Sequence, residues 1–171
     1  MTAPSFRVQV LQDGHDRKRF QCGTEPLDRY FREQVTQDVR RRIAACFVAV
    51  DHLSRIAGYY TLASASVALD LLPPANAKKL PRYPSVPAVR MGRLAVDADF
   101  MGQGLGAALL ADALARSARS GIAAYALIVD AKDEQAAAFY RHHGFMALPS
   151  AALPLFLPLA TVASLTPLQR G

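Results

Sequence analysis

Three glycines at alternate positions, Gly102, Gly104 and Gly106, stand between an apolar run ending at Val96 and a strongly helical stretch beginning at Leu105. Glycine reaches φ > 0 and lets backbone N–H groups approach a ligand with no Cβ in the way. The helix behind the loop turns its unpaired N–H groups and the positive end of its dipole towards it, so the occupant this segment favours is an anion. No Lys-Ser/Thr follows the last glycine, as a P-loop needs, and G-x-G-x-G lacks the last interval of a dinucleotide fingerprint. Taken alone, such a loop is as often a plain tight connection as a ligand site.

The rest of the chain must supply elements that this β-loop-α unit can pack against. Phe6 to Leu11 alternates apolar and polar residues, the period of a half-buried strand. Thr24 before Glu25-Pro26 reads as a helix start, and Leu27, Tyr30, Phe31, Val35 and Val39 recur at helical spacing with Arg29, Arg32, Glu33, Thr36 and Arg40 left to solvent. Ala45 to Val50 and Ile56 to Ala63 form a hairpin around the turn-like DHLSR. Leu71 to Pro87 holds five of the eleven prolines with Lys78, Lys79 and Arg82, which predicts a surface loop without a regular element. Strands at Val89 to Val96, Ala123 to Val129 and Leu153 to Ala163 and helices at Leu105 to about Ser120 and Glu134 to His142 complete the order. That order, β, helix, β, β, β, helix, β, helix, β, predicts an α/β (α+β) fold with a mixed sheet and helices against it.

At 171 residues the chain is expected to form a single domain, residues 1–171. No apolar run approaches the eighteen or so residues of a membrane span, and MTAPSFRVQV has no apolar region behind a basic start, so a cytoplasmic protein without a membrane partner is expected. Cys22 and Cys46 make no CxxC pair and have no histidine at ligand spacing, which predicts buried thiols and no metal. The net charge of +6 points to a polyanionic partner or to a cofactor rich in phosphate.

Arg93-Leu94-Ala95-Val96-Asp97, the glycine loop, and Ala138-Phe139-Tyr140-Arg141-His142-His143-Gly144-Phe145 together resemble the GNAT acetyltransferase family, over Arg90 to Phe145. The resemblance implies a centrally splayed, mostly antiparallel sheet with helices on both faces and acetyl-CoA as co-substrate. It also implies pantetheine contacts along Leu94, Ala95 and Val96, the pyrophosphate on Met101, Gly102, Gln103, Gly104, Leu105, Gly106 and Ala107, and a further CoA contact at Asp133. Tyr140 would be the general acid at the departing sulfur. The sequence departs from the family pattern at Met101, usually Gln or Arg, and at Asp133, often Asn.

Phe20-Gln21-Cys22-Gly23, Leu27-Asp28-x-Tyr30, Gly92 to Asp97 and Leu155 to Leu159 are similar to the TacT-type toxins, a GNAT branch that acetylates the amino group of aminoacyl-tRNA. This implies a homodimer, a cognate small DNA-binding antitoxin, and aminoacyl-tRNA held by cations among Arg29, Arg32, Arg40, Arg41, Arg42, Lys78, Lys79, Arg90 and Arg93. Deprotonating a lysine amine at pH 7 costs about 4.6 kcal/mol against about 1 kcal/mol for an α-amine, so such a substrate needs no dedicated base. Two other readings use the same cofactor site: transfer to a small-molecule or protein amine, and a non-catalytic CoA-binding module.

Overall fold

The computed structural model describes residues 5–149 and 153–165. In chain order they form β1 (Arg7–Val10), α1 (Glu25–Arg29), a π-helical turn (Tyr30–Gln34), α2 (Val35–Arg40), β2 (Ala45–Val50), β3 (Ile56–Ala68), α3 (Pro74–Ala77) and β4 (Ser85–Val96). There follow α4 (Leu105–Arg119), β5 (Ala126–Asp130), α5 (Glu134–His142), β6 (Met146–Ala147), β7 (Pro154–Pro158) and α6 (Leu159–Leu165). The strands lie in the order β1-β2-β3-β4-β5-β7-β6 in one mixed, open sheet. β4 and β5 are parallel over Ala88–Met91 and Ala126–Val129, whereas β1–β2, β2–β3, β5–β7 and β6–β7 are antiparallel. The chain divides into two compact units, Met1–Ala63 with Gly92–Ala113 and Ser64–Met91 with Leu114–Gly171.

The first unit is built on aromatic packing. Phe31 stacks on Tyr59 at 4.2 Å, and Phe20 meets Tyr59 edge-on at 5.3 Å, within a cluster that includes Tyr30, Val35, Cys46, Val48, Ile56 and Ala95. Tyr59 avoids an unpaired buried hydroxyl by donating to the Leu27 carbonyl at 2.8 Å. Burial pushes the Cys46 thiol up to about 12, so it stays protonated and packs as a small apolar group. The predicted helix is present from Glu25 to Arg40, with the π turn at its middle. Arg17 covers the carbonyls that this turn presents, donating to Phe31 O at 2.8 Å and to Arg32 O at 3.1 Å. Asp28, buried on the same helix, accepts from the Cys22 N–H at 2.8 Å and so ties the preceding loop to the helix.

In the second unit Val67, Leu72, Val86, Ala88, Ala126, Ile128, Leu148 and Phe156 form the core. Here the structure departs from the sequence reading at both ends. The proline-rich segment is not free of regular structure: it holds a 3-10 turn at Leu69–Leu71 and α3, and β4 begins already at Ser85. Proline at the first helical position forgoes an N–H that has no helical acceptor anyway, and Pro73 O accepts from Asn76 and Ala77 to close the turn. Pro87 is tolerated in β4 because the ladder asks only for its carbonyl, which takes the Tyr125 N–H at 2.8 Å. The apolar tail, read as one strand from Leu153 to Ala163, is β7 followed by helix α6; a short apolar run does not by itself distinguish the two. Among the described residues no helix is long and apolar enough to cross a membrane.

Removing the Asp28 carboxylate takes away the buried hydrogen bond that it accepts from the Cys22 N–H. Asp28→Ala is expected to lower unfolding free energy by about 2 kcal/mol in urea titrations; a loss below about 0.5 kcal/mol would show that the loop is held by packing instead.

Candidate active site

Between β4 and α4 the chain makes the loop that the glycines predicted. Gly102 and Gly104 have φ of 81° and 77°, and nothing lies within 4 Å of where a Cβ would stand at either. Glycine is required there by backbone conformation, not by crowding. The Ala108 N–H donates to Gly104 O at 3.1 Å, so the N–H groups of Leu105, Gly106 and Ala107 precede the first intrahelical donor. The first turn of α4 carries no acidic side chain, leaving the positive end of the dipole unopposed. Met101, Gly102, Gln103 and Gly104 are exposed, and Leu105 is buried and anchors the helix start.

Both ends of this loop are fixed to the sheet. At its entry, buried Asp97 accepts from the Gln21 N–H at 2.9 Å with one oxygen and from the Asp99 N–H at 2.9 Å with the other, while its own N–H donates to Ala57 O at 2.8 Å. Arg55 joins the cluster, 3.3 Å from Asp97 and 2.5 Å from Asp99, with its guanidinium 5.0 Å from the centre of the Phe100 ring. At its exit, Gly58 on β3 lets α4 close in: a Cβ there would stand 2.7 Å from Leu109 Cδ1 and 2.9 Å from Ala95 O. Neither Arg55 nor Gly58 was singled out by the sequence reading. Both act across long stretches of chain, and no spacing rule reports such contacts.

Leu94 and Val96 are half-buried on β4, and Ala95 between them is buried in the aromatic core, as strand alternation requires. Asp133 is the N-cap of α5, its carboxylate accepting from the Ala136 N–H at 2.8 Å. That gives it a structural task which the sequence reading did not assign. Tyr140, in the second unit, is 7% exposed, with Phe139 at 5.3 Å and Phe145 at 5.5 Å. Burial, and then the negative charge of Asp130, push its phenol up to about 12. Among the described residues its hydroxyl has no hydrogen-bond partner.

The predicted cations are not equivalent. Arg29 pairs with Glu25 at 3.4 Å, Arg32 lies 3.8 Å from Asp28, and Arg90 is bound to Asp130. Arg40, Arg41 and Arg42 are exposed at the end of α2, and Lys78 and Lys79 are exposed after α3. Arg93 stands apart: half-buried, with its guanidinium carbon 3.4 Å from the centre of the Tyr30 ring.

Residues 42–147 match the acetyltransferase (GNAT) domain. A tRNA-acetylating toxin of Mycobacterium tuberculosis is 36% identical over 149 residues, covering 86% of this chain and 88% of its own. A probable toxin TacT of Sinorhizobium fredii is 32% identical over 161 residues, covering 88% and 89%. The solved structure of AtaT complexed with acetyl-methionyl-tRNAfMet superposes with a TM-score of 0.83 at 31% identity, over 94% of this chain and 99% of AtaT. AtaT has also been solved bound to the C-terminus of the antitoxin AtaR and acetyl-CoA, at a TM-score of 0.75 and 27% identity. The chain belongs to the GNAT acetyltransferase family, and its open mixed sheet is the GNAT fold.

The Asp97 cluster makes the loop's geometry testable. Asp97→Asn turns one acceptor oxygen into an amide facing a donor, so acetyl-CoA binding measured by calorimetry is expected to weaken about tenfold, on the scale of one charge-assisted hydrogen bond. Unaltered affinity would show that the loop holds its shape without the cluster.

Proposed function

We propose that this chain is an acetyl-CoA-dependent N-acetyltransferase that acetylates the α-amino group of aminoacyl-tRNA and so acts as a toxin on translation. The observation that carries the reading is the likeness, over more than four-fifths of the chain, to a protein named as a tRNA-acetylating toxin and to one named as a probable toxin. On this reading residues 1–171 work as one GNAT domain, in the cytoplasm, as a homodimer restrained by a cognate small DNA-binding antitoxin. The same basic net charge that suits tRNA would suit an acidic antitoxin segment.

The loop from Met101 to Ala107 takes the CoA pyrophosphate on backbone N–H groups, which need no particular side chain, so Met101 in place of Gln or Arg costs little. Asp133 caps its own helix in preference to the cofactor. Leu94 to Val96 align the pantetheine arm and polarise the thioester carbonyl. The neutral α-amine attacks that carbonyl, the C–S bond breaks, and the net proton transfer runs from the amine nitrogen to the sulfur by way of the Tyr140 hydroxyl. A phenol held near 12 keeps its proton throughout the range in which an α-amine, with a reference value of about 7.7, becomes neutral. No side-chain base is needed, in keeping with the place of His142 in the last turn and His143 at the C-cap of α5, where positive charge suits the helix dipole.

With labelled acetyl-CoA, label is expected in the aminoacyl group of charged tRNA and not in polyamines or peptides. Tyr140→Phe is expected to lower kcat about 10²-fold or more with little change in acetyl-CoA KM. The wild-type rate should rise as the amine deprotonates and show no alkaline decline below about pH 10, because Tyr140 ionises only near 12. Transfer to polyamines or peptides with no transfer to any charged tRNA would replace this reading with an ordinary amine acetyltransferase.

A further inference from the structure

Arg93 is a cation for which the described residues supply an aromatic platform and no carboxylate within 4.0 Å. Its guanidinium lies flat against Tyr30, 3.4 Å from the ring centre, well inside cation–π range. Tyr30 is fixed in turn, since its hydroxyl donates to Asp38 Oδ2 at 2.8 Å. Burial and that hydrogen bond keep the phenol protonated, so the platform stays neutral at any physiological pH. Arg29, Arg32, Arg55, Arg90 and Arg141 each lie within 4.0 Å of a carboxylate. Arg93 does not, and among the described residues none of its N–H groups has an acceptor. Half-burying a guanidinium without a partner is unfavourable unless a ligand supplies one.

The position of this cation on β4 follows from strand alternation. Arg93 shares a face with Ala95, the face covered by Tyr30 and Phe31 in the aromatic core, and it is the residue next to Leu94. The π turn begins at Tyr30, so the platform residue sits where the helix departs from regular winding, as π turns at functional sites often do. A planar guanidinium held in one orientation presents paired N–H donors that suit a phosphodiester. It also repels an incoming ammonium, which disfavours lysine and polyamine acceptors.

Building on the proposed transfer to aminoacyl-tRNA, we infer that Arg93, stacked on Tyr30, binds the phosphodiester that precedes the amine-bearing nucleotide and so determines the acceptor class. This is a specificity role. Arg93 does not take part in bond making, and the remaining cations add affinity without selecting the acceptor end.

The test compares aminoacyl-tRNA with aminoacyl-adenosine, which carries the same amine and no phosphodiester. Arg93→Met is expected to lower kcat/KM for aminoacyl-tRNA about tenfold to a hundredfold, and to lower the tRNA-to-adenosine preference by a similar factor, with Arg93→Lys restoring part of it. The slope of log KM against log salt for tRNA should fall by about 0.7 to 1. Equal losses on both acceptors, or a merely lowered melting temperature with the preference intact, would reduce Arg93 to a packing residue and overturn the inference. An unchanged Arg93→Met variant on tRNA would also overturn it while leaving the proposed activity standing. A wild-type protein inert on both acceptors overturns the proposed activity and the inference with it.

Discussion

The Asp97 carboxylate, buried at the end of β4, is the interaction on which the geometry of the glycine loop depends. An unpaired carboxylate there would be intolerable, and its cost is offset by two backbone N–H donors and the Arg55 guanidinium. Two of those partners, Gln21 and Arg55, come from distant stretches of chain and the third, Asp99, from the turn just after β4, so satisfying one charge draws two segments to the point where β4 stops. The loop that follows can then be short, exposed and rich in glycine without being loose. The close approach at Gly58 fixes its other end by letting helix α4 pack tightly on β3.

The aromatic core of the first unit has a comparable double use. Tyr59 and Phe31 fill volume and close the helix onto the sheet. Tyr30, at the edge of the same cluster, contributes its face to Arg93 and its hydroxyl to Asp38. A phenylalanine at position 30 would still fill the space, but the ring would lose the hydrogen bond that sets its orientation. The π turn accommodates this: it lets Tyr30, Phe31 and Val35 all be buried while Arg32 and Glu33 remain outside.

Much of the fold was legible because it is local. The period-two strands, the helix opened by Thr24-Glu25-Pro26, the hairpin and the β-loop-α unit all come from residues close in sequence, and their positions agree with the structure. What was not legible falls into two kinds. Pro73 and Pro74 signalled the absence of regular structure, whereas in context they start a helical turn; a proline-rich composition does not say which prolines find a first-turn position. The run Leu153 to Ala163 satisfied strand and helix patterns alike, and the change at Leu159 accompanies a bond from its N–H to Tyr125 O, a long-range contact. Of the candidate site residues, the glycines, Tyr140 and the β4 strand were visible as a motif. Arg55, Gly58 and Asp38 were not, since each matters only through a partner far away in the chain.

Chemistry and recognition make opposite electrostatic demands on such a site. Acyl transfer to an α-amine needs an environment that does not hold the amine as an ammonium, and a proton donor that is not lost as the pH rises. Tyr140, as the proposed proton donor, would meet the second need by burial, which favours its neutral form. A fixed cation beside the acceptor would meet the first, because a positive charge near an ammonium lowers its pKa and so increases the share of free amine. An acidic base would do the reverse, binding the ammonium tightly and holding it unreactive. Under the proposed function, an arginine on a neutral platform would grip the acceptor by its phosphate, and a phenol in place of a carboxylic acid would leave the nitrogen uncharged.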